Sequence, residues 1–216
     1  WFDFDGGNVT TINNPQMNGI NTSTRVGRMV KNAGQPWGGS FLTLSLPMDF
    51  SNKIFRMKVW SPRAGAKVLL KVENSANSAQ NFEKEVVMTV ANAWEDLVFD
   101  YNAINTGNSY NRIVLIFDNG TMGDGSSNFT FYFDDIRLVN TVPITLPLNF
   151  EHPVTYPWTN FDGGDVTVIN NPDASGINTS AKVARMVKNA GQPWGGSFLT
   201  LAGPIDFSVN KTFKMK

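Results

Sequence analysis

The chain has no cysteine and a single histidine, His152. Without thiols it can form neither disulfides nor thiolate metal sites, although this leaves its compartment open. A nucleophile and base pair is nearly impossible to assemble from one histidine beside a proline, so His152 reads as a surface residue. Excess charge is missing too. Eighteen basic residues balance 18 acidic ones, which leaves no field to hold nucleic acid or an anionic membrane, and neither partner is expected. No apolar run approaches the roughly 20 residues that cross a bilayer, so membrane insertion is not expected either. The opening Trp1-Phe-Asp-Phe-Asp lacks the charged start of a signal peptide; any export signal is expected upstream. Paired carboxylates are scarce. Asp134 and Asp135 are adjacent, and on a regular strand they would point to opposite faces, unable to flank one glycosidic bond. No enzyme is expected.

What is present is a repeat. Arg28 to Leu44 returns letter for letter as Arg185 to Leu201, at an offset of 157, and 36 of the 47 positions from Phe4 to Phe50 are identical in the second copy. A period this long is a domain plus its linker, whereas solenoids and propeller blades repeat at about 40 residues. The expected organisation is a first module over 1–139, a proline-stiffened linker over 140–145, and the first part of a near-identical module over 146–216.

Within the first copy, apolar residues alternate with period two, and Asn, Gly, Pro and Ser punctuate them. This pattern predicts strands near residues 8–12, 24–32, 40–46, 53–60, 67–73, 82–90, 95–100, 112–117 and 129–139. With 41% hydrophobic residues and no strong helical segment, the fold class is all-β, an antiparallel sandwich of the jelly-roll type. Asp134 in Phe131-Tyr-Phe-Asp-Asp-Ile-Arg-Leu138 is in phase with Ile136 and Leu138, where a bare carboxylate would be costly. One reading is a structural calcium ion held by Asp134 and Asp135, backbone carbonyls and an opening-strand carboxylate, seen in the second copy as Glu151. The other is a carboxylate bonded to loop amides without metal.

These residues resemble a family. Leu146-Pro-Leu-Asn-Phe-Glu151, the Phe-Asp-Gly-Gly that follows, Ser61-Pro-Arg63, Lys71-Val-Glu73, Trp94 to Asp100 and Phe133 to Leu138 are similar to the jelly-roll carbohydrate-binding modules appended in tandem to secreted glycan-degrading enzymes and surface proteins of Bacteroidetes. The resemblance implies a non-catalytic sugar-binding module with a structural calcium, and it does not fix the glycan; one expectation is a polysaccharide partner, for example a β-glucan such as laminarin, bound by part of a longer secreted or cell-surface protein. The counterpart of Glu151 would fall before Trp1.

Sugar binding rests on aromatic faces ringed by groups that bond hydroxyls. Trp37, in Gln35-Pro-Trp-Gly-Gly, is the leading candidate, with Trp194 as its copy; the alternative is a ring folded over the sandwich edge. Trp1 and Trp158 are candidate rim residues, Trp94 reads as core, and Trp60 fits either. Arg28, Lys31 and Gln35 lie near Trp37 in sequence, and Arg63 and Lys71 could line a sheet. A different class of function competes: a structural or adhesive array in which copies give length and avidity without a sugar site. Because the second copy lacks counterparts of residues 59–139, neighbouring repeats or strand-exchanged copies are expected to complete it.

Overall fold

In the computed structural model, which describes residues 1–139, 144–151, 156–208 and 211–216, the chain divides into two compact units, Trp1–Asn140 and Thr141–Lys216. His152 and most of the expected linker fall outside the described residues.

The alternating segments of the first unit become ten strands. They are β1 (Phe2–Phe4), β2 (Gly7–Asn13), β3 (Arg25–Lys31), β4 (Gly39–Thr43), β5 (Ile54–Ser61), β6 (Lys67–Asn74), β7 (Asn77–Val87), β8 (Ala93–Asp100), β9 (Arg112–Phe117) and β10 (Thr130–Val139). All nine expected strands are there, and β1 is an addition. Two five-stranded sheets form, ordered β1-β4-β9-β6-β7 and β2-β3-β10-β5-β8, with every neighbouring pair antiparallel. The unit is an antiparallel β-sandwich of jelly-roll type.

Between the sheets lie the inward members of each alternation: Val9 and Met29, then Met57, Val59, Leu70, Val72, Phe99, Leu115, Phe117, Phe131 and Phe133, all buried. Burying each such side chain contributes about 1.5–3 kcal/mol. The buried Tyr101 hydroxyl is satisfied by donating to the Leu70 carbonyl at 2.6 Å. Gly27 is opposite Phe133 across the β3–β10 pair, and a Cβ on it would come within 2.4 Å of the phenyl ring. Glycine here makes room for an aromatic ring.

Strand β10 carries a correction. Phe131 and Phe133 face the core, as do Ile136 and Leu138, so one extra residue sits between the two pairs. The register against β5 slips between Asp134 and Arg137, and Asp135 takes φ 54°, a left-handed conformation that aspartate tolerates better than most residues. This bulge turns Asp134 away from the Ile136 face onto the outer face, opposite Lys58. The period-two assumption that placed it inward fails at that one residue.

In the second unit, β11 (Thr159–Phe161) pairs with β14 (Gly196–Phe198), and β12 (Gly164–Asn170) with β13 (Lys182–Lys188). The registers are those of β1–β4 and β2–β3 shifted by 157 residues. No hydrophobic side chain among the described residues of this unit is buried: Met186 is 50% exposed where its counterpart Met29 is 0%.

Candidate functional site

The β3–β4 turn holds Trp37 out of the fold. Gly34 and Gly38 approach the Asp5 carbonyl so closely that a Cβ on either would come within 2.2 Å of its oxygen. The Gln35 amide donates to that same carbonyl at 2.9 Å. Trp37 is 53% exposed, and its indole Nε1 donates to the Asp5 carboxylate at 3.0 Å, so the ring is both presented and tethered. The second unit repeats the device, with Trp194 67% exposed and its Nε1 donating to Asp162 at 2.9 Å.

Lys31 anchors this turn from beneath. Its side chain is fully buried, and Nζ donates to the carbonyls of Pro36 at 2.6 Å, Asp118 at 2.9 Å and Phe117 at 3.0 Å. Burial pushes the ammonium pKa down to about 8; Asp118 opposes the shift and Arg63 adds to it. Lys31 therefore offers nothing to a ligand, which corrects its place among the sugar contacts. Arg63 is committed as well: its guanidinium donates to both oxygens of the buried Asp118 and lies over the Phe129 ring at 5.0 Å.

A broader aromatic surface lies on the outer face of the first sheet. The register Phe2↔Phe41↔Val114↔Lys71↔Glu83 runs across all five strands, and Thr43↔Arg112↔Glu73↔Asn81 runs beside it. Phe2 stacks on Phe41 with centroids 5.3 Å apart and planes 19° from parallel. The Arg112 guanidinium also lies over the Phe41 ring, 4.4 Å from its centre. Arg112 donates to Thr43 Oγ1 at 3.1 Å and to Glu73 at 2.9 Å, and Lys71 pairs with Glu73 at 3.3 Å. Phe2 is 64% exposed, so an open ring adjoins a line of fixed donors and acceptors. Lys71 was legible as a sheet-lining residue. Phe2, Phe41 and Arg112 were not, because only strand pairing brings them together.

The outer face of the second sheet is different. Trp60 and Trp94 are directly opposed, are 9% and 7% exposed, and form with Val26 a small cluster outside the main core, against which Tyr132 and Ile12 pack. Trp94 is thus buried in a hydrophobic cluster, as expected. Beyond this row lie Arg56, Lys58, Asp96, Asp134, Asp135 and Arg137. Arg56 and Arg137 pair with Asp96, and Arg137 and Lys58 with Asp135. Three cations against three carboxylates leave this patch neutral.

That balance decides the fit of calcium. Asp134 Oδ1 accepts the Asp135 amide at 2.8 Å, and Oδ2 has no protein partner. Asp135 is held by two cations, and no three acidic or histidine side chains converge among the described residues. Glu151, in the second unit, is exposed and accepts the Lys182 amide at 3.0 Å. The residues brought together do not fit a calcium ion by themselves.

The remaining expected sugar contacts disperse. Trp1 is half-buried and packs edge-on against Phe133 at 5.5 Å, sealing the core edge instead of forming a rim. Trp158 is half-buried with its Nε1 lacking a protein partner. Gln35 is exposed beside Trp37. Arg28 lies on the outer face of the second sheet, opposite Tyr132, so it cannot share a site with Lys71 on the outer face of the first.

No protein-family model and no curated protein matches the sequence. Among solved structures, the chain is similar to the family 11 carbohydrate-binding module of the cellulosomal cellulase Lic26A-Cel5E of Clostridium thermocellum (13% identity, 64% of this chain and 85% of that one, TM-score 0.46). A family 30 carbohydrate-binding module shows 18% identity over 67% of this chain and 84% of its own, at a TM-score of 0.47. The xylanase 10B modules of Clostridium thermocellum, complexed with xylohexaose, show 16% identity over 61% of this chain and 24% of theirs, at 0.40. At these identities and scores the likeness assigns no ligand to this chain.

Proposed function

We propose that the first unit is a non-catalytic carbohydrate-binding module, part of a larger secreted or cell-surface protein, and that it grips a polysaccharide on the outer face of its first sheet. The observation that carries the reading is the open Phe2–Phe41 stack beside Arg112, Glu73 and Lys71. An aromatic face takes the apolar side of a pyranose, and ordered charges alongside bond its hydroxyls. With Lys71 and Arg112 balanced by Glu73 and Glu83, the face suits a neutral glycan, for which a β-glucan such as laminarin is our first choice. Trp37, presented by its turn, is a second stacking residue, and Trp194 is its copy.

Isothermal titration of the whole chain with laminarihexaose tests this. Phe41→Ala, which removes the ring that Phe2 and Arg112 both lie against, should weaken binding by about 1–3 kcal/mol. Affinity equal to that of the parent would move the site off this sheet.

Calcium enters the proposal only as an ion completed by oxygen ligands from outside residues 1–139. Bound to the native state alone, it would raise the melting temperature. A melting curve unmoved by EDTA removes it.

A structural or adhesive array is the competing reading, supported by the near-identical second copy of residues 4–50; neighbouring repeats or a strand-exchanged copy are its proposed partners.

A further inference from the structure

Asn-Gly occurs twice in the chain, as Asn18-Gly19 and Asn119-Gly120, and both pairs lie in the first unit. The dipeptide has a chemistry of its own. A glycine amide has no side chain to shield it and little to restrain its backbone, so its nitrogen can swing onto the side-chain carbonyl carbon of the asparagine before it. Whether it does so depends on what else holds the two groups.

The two pairs are held differently. Asn119 is half-buried, its Nδ2 donates to Glu85 at 2.8 Å and its own amide to the Lys67 carbonyl at 3.3 Å, while the Gly120 amide donates to the Pro36 carbonyl at 3.2 Å. Attacking nitrogen and leaving group are thus both engaged. Asn18 and Gly19, by contrast, are exposed in the 14–24 loop that joins β2 to β3. Among the described residues neither the Asn18 side chain nor the Gly19 amide has a hydrogen-bond partner, and a Cβ on Gly19 would meet nothing within 4 Å. The pair is open to water and to itself.

The turn itself does not account for the asparagine. In the first copy the Asn21 amide donates to the Asn18 carbonyl at 3.1 Å and Gly19 takes φ 56°. In the second copy the Asn178 amide donates to the Ser175 carbonyl at 3.1 Å and Gly176 takes φ 58°. Serine makes the same bend, so the left-handed glycine is what the turn requires, and the residue before it is free to vary.

We propose that Asn18 is a site of spontaneous deamidation, one that the second copy lacks because Ser175 stands there. The Gly19 nitrogen gives its proton to solvent base and bonds to Asn18 Cγ; the bond from Cγ to Nδ2 breaks, and Nδ2 leaves as ammonia with a proton from water. Water then opens the resulting succinimide at either carbonyl, giving aspartate, or isoaspartate with the main chain routed through the side-chain carbon. The sum is asparagine and water giving acid and ammonia, with no change of oxidation state. Each event adds one negative charge to a chain whose 18 basic and 18 acidic residues balance. Isoaspartate also lengthens the main chain by one carbon, in a turn that ends on fully buried Asn21 and in a loop pinned where Trp94 Nε1 donates to the Gln16 carbonyl at 2.6 Å. The first copy thus changes with age in the charge and path of this loop, while Ser175 keeps the second copy's turn as it is.

The test is peptide mapping by mass spectrometry of the native full chain held at mildly alkaline pH, beside the same chain in urea. In the native chain Asn18 should convert to aspartate and isoaspartate at least about tenfold faster than Asn119, because hydrogen bonds at the second pair must break before it can react. In urea the two should convert at similar rates. Hydroxylamine, which cleaves a succinimide, should cut the native chain between residues 18 and 19 and spare the bond between 119 and 120. Asn18→Ser, the exchange already present in the second copy, should fold as the parent does and resist that cut. The proposal is overturned if Asn18 stays intact in the native chain while it converts in urea, if Asn119 converts as fast as Asn18 in the native chain, or if hydroxylamine leaves the 18–19 bond whole.

Discussion

Lys31 shows how much one side chain can be misread from its neighbours in sequence. It sits six residues from an exposed tryptophan, yet its ammonium is spent on three carbonyls beneath the turn that presents that ring. Its phase was the available clue, for Lys31 alternates with Gly27 and Met29, both inward, and its acceptors at 117 and 118 come from a strand end that sequence spacing cannot locate. The burial has a pH signature. The folded-state pKa, about 8, is below the ordinary 10.5. Between those values the unfolded chain binds more protons than the native one, so this group's contribution to stability rises with pH across that window. Urea unfolding of the parent and Lys31→Met should show the variant less stable by about 1–3 kcal/mol at neutral pH, since three carbonyls lose their donor. The parent's advantage should grow from about pH 8 to 10. A difference that stays flat over that range would contradict the account. Trp37, by contrast, was legible: Gly and Pro on both sides of a tryptophan mark a ring held out by its turn.

Among the elements, strands were readable where alternation is long and regular, as in β5, β6 and β9. The three-residue β1 was not, although it supplies Phe2. The β10 bulge had a signal that could have found it: Phe133 and Ile136 are three apart, so strict alternation cannot put both inside. Gly27 could be seen as a glycine but not as the seat of the Phe133 ring, 106 residues away in the chain. Gly27→Ala should cost about 1–3 kcal/mol through overpacking of a dense core. Chemical unfolding of the first unit measures it, and Phe133→Leu in the same chain should recover part of the loss. An alanine variant as stable as the parent would mean that the ring has room to shift. Alanine is the natural residue at the matching position of the second copy, Ala184.

For the whole molecule, the repeat was visible at once and the sandwich followed from period two, because both are properties of one-dimensional order. The location of a binding surface is not. Phe2, Phe41 and Arg112 are 39 and 71 residues apart in succession, and only the order β1-β4-β9 makes them neighbours. The same topology sends Arg28 and Lys71 to opposite outer faces, splitting a group that looked single in sequence. The central claim is that glycan lies on that outer face of the first sheet. Backbone amide chemical-shift mapping of the full chain during titration with laminarihexaose addresses it most directly. The account predicts the largest shifts along β1, β4 and β9, centred on Phe2, Phe41 and Arg112; an undisturbed spectrum there at saturating hexaose would contradict it.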